Sequence, residues 1–302
     1  MINKIKQGVA ALGLIMVSGL LINAASADSH GMEKIEPKVR YYPEKVDFAG
    51  ERAPLEIDDV RERFERELIV NANLDASTLI IIKRAGRAFP IIEPILAKYG
   101  VPDDFKYLAV IESALVNAVS SAGARGVWQF MPATAKEIGL EVNDFVDERY
   151  HLEKSTEAAC KYLLKSKEKF GNWTSAAAAY NGGNAGVTRQ LENQKVNDYY
   201  DVLLTEETAR YVFRILALKE IMQHPQKYGY DVNINELYTN LPVRKIVVDT
   251  TIADLADFAN AQGINYKILK IHNPWLRDRS LMNPLKKSYT IEIPTKGYER
   301  IK

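Results

Sequence analysis

The segment YLAVIESALV, Tyr107 to Val116, sets a glutamate into an apolar helical stripe. Leu108, Ile111 and Leu115 fall at i, i+3 and i+7, the spacing of one buried face. Glu112 follows Leu108 by four residues and points within about 70° of the stripe's centre. A carboxylate on a partly apolar face is disfavoured when charged, so its pKa rises and it holds a proton near neutral pH. A protonated carboxyl is what a departing sugar oxygen requires as a glycosidic bond breaks. The plain structural alternative is a boundary glutamate whose head reaches solvent or pairs with a base.

Three later stretches supply groups that could share a site with Glu112. In SSAGARGVWQFMPATAKEIGL, Gly123 and Gly126 permit positive φ or close backbone approach. Trp128, Gln129, Phe130 and Met131 then offer aromatic, amide and thioether groups before Pro132 and Thr134 open another helix. WTSAAAAYNGG is a run of small residues ending in the phenol of Tyr180 and the amide of Asn181, with Gly182-Gly183 as a terminator. ETARYV places Glu207 and Tyr211 on the last long helix. Trp128 and Met131 also fit a core, Tyr180-Asn181 a helix end, and Tyr211 a buried tyrosine with a satisfied hydroxyl. A standard glycosidase pairs two carboxyl groups, but no second carboxylate stands in an obvious motif, and Glu207 is the nearest candidate.

The elements that must carry these groups are mostly helical. IDDVRERFERELIV spaces Val60, Phe64 and Leu68 four apart. In DASTLIIIKRAGRAFPIIEPILAKYG, Pro90 and Pro94 are expected to break or kink the helix, and Gly100 to end it. STEAACKYLLKSKEKFG is expected to start at a Ser155 or Thr156 cap and close at Gly171, while EETARYVFRILALKEIMQHP runs to Pro225. Past Leu241-Pro242 the texture changes: VRKIVVD and SYTIEIP read as strands around two helical patterns, TIADLADFANAQG and NYKILKIHNPWL. Thr250 or Thr251 is the expected cap of the first and Gly263 its end. This β-α-α-β order over about 55 residues is too small for a second enzyme domain. The expected organisation is a signal peptide at 1–27, an irregular leader at 28–57, a helical catalytic domain at 58–241 and a small module at 242–302.

The 302 residues are 47% hydrophobic with a formal net charge of +1, which argues against a dedicated nucleic-acid binder. Lys4 and Lys6 precede an apolar run ending in Ala25-Ser26-Ala27, the pattern of a cleaved export signal, with a retained anchor as the alternative. No cysteine lies near the cleavage point to take a lipid, so the mature chain is expected to begin at Asp28, in the periplasm or cell envelope. Cys160, the sole cysteine, lies within a helical pattern and is expected to be a packed thiol. The four histidines lack ligand spacing, so no metal site and no cofactor are expected.

IESALVNAVSSAGARGVWQFMPATA, AAAAYNGG and ETARYV, in that order, resemble the soluble lytic transglycosylase family, with its goose-type-lysozyme-like fold, across about residues 85–240. The resemblance implies cleavage of the β-1,4 bond between N-acetylmuramic acid and N-acetylglucosamine in peptidoglycan, without water, leaving a 1,6-anhydromuramoyl end. Carried over by motif, Glu112 matches the single acid/base. Ser113, Ser120, Gln129, Met131, Tyr180, Asn181 and Tyr211 match positions that line the sugar cleft, and Tyr180 and Tyr211 are expected to hold the carboxyl. Two departures stand out: the Glu112–Ser120 segment is slightly short, and Ala209 replaces a frequent arginine, with Arg210 adjacent. The C-terminal pattern looks like a LysM module, which implies binding of N-acetylglucosamine-containing strands. The fold class expected is thus mainly α, with a lysozyme-like helical domain and a small β-α-α-β module. Its partner is peptidoglycan glycan, and peripheral association with the envelope is possible. A water-admitting muramidase and a non-catalytic wall-binding protein are the competing functions.

Overall fold

The computed structural model describes residues 41–298. The expected signal peptide and the first part of the leader lie outside the described residues. A hairpin, β1 (Asp47–Phe48) and β2 (Glu51–Arg52), is followed by α1 (Asp58–Ala72), α2 (Asp75–Tyr99), α3 (Phe105–Ser113) and the short α4 (Pro132–Glu137). Next come α5 (Leu152–Phe170), α6 (Trp173–Gly182), α7 (Asn184–Gln194) and α8 (Glu206–Gln223). The C-terminal module consists of β3 (Val243–Val248), α9 (Leu255–Ala261), α10 (Tyr266–His272) and β4 (Tyr289–Pro294). Strands β3 and β4 pair antiparallel with Ile246 opposite Ile291. The mainly helical fold with a β-α-α-β module is as its residue pattern requires.

Periodicity places the core. Val60, Phe64 and Leu68 of α1 are all buried against α8, and each contributes about 1.5–3 kcal/mol by leaving water. Gly100 and Gly171 end α2 and α5 in left-handed geometry, as their type predicts. Four local expectations are corrected. α2 runs unbroken through Pro90 and Pro94, because packing against α5 and α3 outweighs the lost amide donors. α5 starts three residues before Ser155, with His151 at the cap, and Ser155 and Thr156 bond back to the Leu152 carbonyl. α9 is capped by Asp254, which accepts from the Ala256 and Asp257 amides, whereas the Thr251 hydroxyl accepts from Asn283 N at 3.0 Å. The leader is not wholly irregular, since it forms the β1–β2 hairpin.

That hairpin has structural work. Phe48 is buried edge-on against Phe105, the first residue of α3, with ring centres 4.9 Å apart. Glu51 accepts from Trp173 N at 2.6 Å and from Thr174 N and Oγ1 at 2.8 and 2.7 Å, so its carboxylate satisfies the free amides that open α6. Glu51→Ala is expected to lower stability by about 1–2 kcal/mol. A urea midpoint within error of wild type would show that water replaces the carboxylate without loss.

The module is seated on the helical part. Trp275 O accepts from Asp147 N at 2.9 Å and Phe145 O from Arg277 N at 2.8 Å. Tyr289 donates to the Glu141 carboxylate at 3.1 Å, and Lys287 pairs with the same group. The Arg277 guanidinium lies 4.1 Å from the centre of the Tyr150 ring. Val146 and Tyr150 are buried in one apolar cluster with Leu255, Leu269, Trp275, Leu276 and Ile291.

Candidate active site

Glu112 is the penultimate residue of α3. Phe105, Leu108 and Ala109, one and two turns before Glu112 on the same side of this helix, are buried and seat it against α8 and α2. The helix is shorter than the apolar stripe suggests: Ala114 and Leu115 adopt left-handed φ of 52° and 59°, and Leu115 enters the core from beyond the helix end. Arg84 of α2 donates to the Ala114 carbonyl at 3.2 Å and braces this reversal. The chain therefore turns away immediately after Glu112 and leaves its carboxyl half-buried.

Tyr211 of α8 is almost fully buried, and its hydroxyl donates to Glu112 Oε1. Among the described residues, nothing bonds Oε2. Burial pushes the Glu112 carboxyl up from 4.5 to about 7; the Tyr211 hydrogen bond and then the Arg214 charge pull against this, and Glu207 adds to it. The Tyr211 and Tyr180 hydroxyls are themselves held far above their ordinary range, by burial first and then by the Glu112 charge, so both remain neutral donors.

Tyr180 corrects an expectation. Its hydroxyl donates to the Trp128 carbonyl at 2.7 Å, not to Glu112, although the carboxyl is near enough to affect its ionisation. The ring packs between Tyr162 and Phe130, with centres 5.3 and 5.8 Å away. Asn181 accepts from Thr208 Oγ1 at 2.8 Å, which ties the end of α6 to the first turn of α8. Gln129 has φ +50°, and its Nε2 donates to Gly126 O at 2.7 Å and Ala118 O at 3.1 Å. Ser120 accepts from Ala124 N at 2.9 Å and closes a turn rather than reaching Glu112. Ser113 is buried and donates back to Ala109 O at 3.3 Å, so its role is to finish α3. Met131, at the start of α4, is 43% exposed and offers an open thioether. Trp128 is core: it is fully buried and donates to Thr156 Oγ1 at 2.8 Å.

The loop bearing Trp128 and Gln129 is held from beneath. Arg149 and Asp147 form a buried two-point ion pair, at 2.9 and 2.8 Å, and Arg149 also donates to Phe130 O and Gly123 O. Gly126, at φ +83°, lies so close to this support that a Cβ would sit 1.8 Å from Arg149 O. Arg63 of α1 donates to the Ala209 carbonyl at 2.6 Å, while Arg210 pairs with buried Glu67. Arg84, Thr208 and Arg214 escaped the sequence reading. For Arg214 a signal existed: it is a cation three residues after Tyr211 on the otherwise apolar run YVFRILAL. Cys160 is a packed thiol, buried and pushed up to about 12 by that burial.

The helical domain with a β-α-α-β module docked on it matches two known domain families. Residues 89–203 match the transglycosylase SLT domain, and residues 244–297 match the soluble lytic transglycosylase C-terminal LysM-like domain. The chain belongs to the transglycosylase SLT family and carries that LysM-like domain. It is 29% identical over 243 residues to membrane-bound lytic murein transglycosylase D of Escherichia coli (strain K12), covering 78% of this chain and 52% of that protein. A protein named for tributyltin chloride resistance from Alteromonas sp. (strain M-1) is 31% identical over 138 residues, 43% of this chain and 67% of its own length. Peptidoglycan transglycosylase gp16 of Escherichia phage T7 is 36% identical over 118 residues, 38% of this chain and 9% of that protein. The chain thus spans about half the length of the lytic murein transglycosylase it matches.

Proposed function

We propose that this chain is a peptidoglycan lytic transglycosylase that cleaves the β-1,4 bond between N-acetylmuramic acid and N-acetylglucosamine, with Glu112 as acid and then base. The observation that carries the proposal is the half-buried Glu112 carboxyl, raised to about 7 by burial and held at Oε1 by Tyr211. With Tyr211 donating to Oε1, the carboxyl proton belongs on Oε2 and faces the substrate. Glu112 gives this proton to the glycosidic oxygen, and the bond from that oxygen to the muramoyl C1 breaks. The sugar's own 2-acetamido group stabilises the cationic carbon. The carboxylate then takes the proton of the muramoyl C6 hydroxyl, whose oxygen closes onto C1. No water enters, and Glu112 ends protonated as it began.

One carboxyl suffices because the substrate supplies the nucleophile. Glu207 is exposed and bears on Glu112 only through its charge, which argues against a two-carboxylate hydrolase. Met131 provides open apolar surface for a sugar face, while Gln129 and Tyr180 shape the cleft by fixing its backbone and Asn181 by tying the end of α6 to Thr208 of α8. The LysM-like module binds the same glycan, as its family name suggests, and the chain works in the cell envelope. Among the described residues no helix is long and apolar enough to cross a membrane.

Digestion of purified sacculi followed by mass spectrometry tests the proposal. The expected products carry anhydromuramoyl ends, lighter by one water than reducing ends. Reducing ends alone would establish a muramidase, and the absence of fragments would establish a non-catalytic wall-binding protein.

A further inference from the structure

Arg214 follows Tyr211 by three residues on α8, so the two side chains leave the same face of the helix. Its guanidinium carbon lies 6.0 Å from the centre of the Tyr211 ring, and Tyr211 in turn bonds Glu112. Among the described residues the guanidinium has neither an ion-pair partner nor a hydrogen bond, and its Nε is closed off from solvent with no acceptor. Neighbouring arginines differ: Arg210 pairs with Glu67, and Arg63 donates to Ala209 O. An enclosed donor without a partner destabilises the fold, so packing alone gives no reason for an arginine here. A leucine would fill the space without that loss.

We propose that Arg214 is a positioning residue for proton transfer at Glu112, its positive field beside the Tyr211 phenol stabilising the carboxylate that remains each time Glu112 releases its proton. The proposal rests on the acid-then-base role assigned above. The groups that bear on Glu112 are Tyr211, Arg214 and Glu207 from α8 and Tyr180 from α6. Arg84 of α2 reaches the Ala114 carbonyl just beyond it. Burial drives the carboxyl towards its neutral form and Glu207 adds to that, whereas the Tyr211 bond and the Arg214 charge oppose it. Without Arg214 one opposing influence remains. Glu112 then becomes too weak an acid, and the charged state midway through the reaction becomes harder to reach.

The test uses the full chain with 13C-labelled glutamate carboxyls, the Glu112 signal being assigned by its loss in Glu112→Gln. In wild type the Glu112 signal is expected to titrate near 7. In Arg214→Met the midpoint is expected to move up by about one pH unit, and the alkaline limb of kcat/KM for muropeptide release should move with it. In Arg214→Lys, which keeps the charge but lacks Nε, both should return to the wild-type position. A folded Arg214→Met with the wild-type midpoint overturns the proposal. If Arg214→Met does not fold, Arg214→Lys decides: a midpoint raised despite the retained charge overturns it, and an unchanged midpoint supports it. Because the carboxyl titration is read without substrate, its outcome is separable from that of the sacculus digestion.

Discussion

Glu112→Gln is expected to reduce anhydro-muropeptide release by about 10³-fold or more, since one side chain performs both proton transfers. The amide oxygen can still accept from Tyr211, so the fold should survive. Stability adds a second signature. Burial raises the folded-state pKa to about 7 from 4.5, so the unfolded chain releases this proton earlier as pH rises. The stability tied to the neutral carboxyl is full below 4.5, falls between there and about 7, and is absent above. That gap corresponds to about 3 kcal/mol as an upper bound. Urea unfolding should therefore find Glu112→Gln close to wild type at pH 4 and more stable than wild type at pH 8. Undiminished release from the folded variant would remove Glu112 from the mechanism. Equal stability differences at both pH values would show that the carboxyl is not sheltered.

Gly126→Ala is expected to destabilise the chain by more than about 3 kcal/mol. The new Cβ would meet the Arg149 carbonyl oxygen at 1.8 Å, and φ of +83° is unfavourable to any side chain. Neither atom can give way easily. Arg149 is fixed by Asp147 and by the Phe130 and Gly123 carbonyls, and the Gly126 carbonyl accepts from Gln129. Since the same loop supplies the Trp128 carbonyl that receives Tyr180, release of muropeptides should fall even in the fraction that folds. Thermal unfolding within error of wild type would show that the loop can lift off its support without penalty.

What could be read beforehand was what repeats or interrupts a pattern. Glu112 declared itself by breaking an apolar stripe, and Tyr211 by its place in a recognisable segment on a long amphipathic helix. The strands VRKIVVD and SYTIEIP were legible because β-branched residues alternate between turn formers. Partners were harder. Tyr180 bonds a backbone carbonyl 52 residues away, and Gln129 turns its amide into its own loop, and backbone acceptors leave no trace in residue types. The β1–β2 hairpin escaped notice because two-residue strands have no periodicity to display. Arg214 was passed over because a lone cation on a helix is most often a solvated one.

The seam between the helical part and the LysM-like module has a thermodynamic consequence. Val146 and Tyr150 belong by sequence to one part and by packing to the other, and the described residues 41–298 fall in one compact unit. Melting the module would strand those side chains, together with Glu141, in water, so neither part can lose its structure without weakening the other. The described residues are therefore expected to unfold as a single block, and trimming the chain before Val243 would leave a wound rather than a free-standing domain.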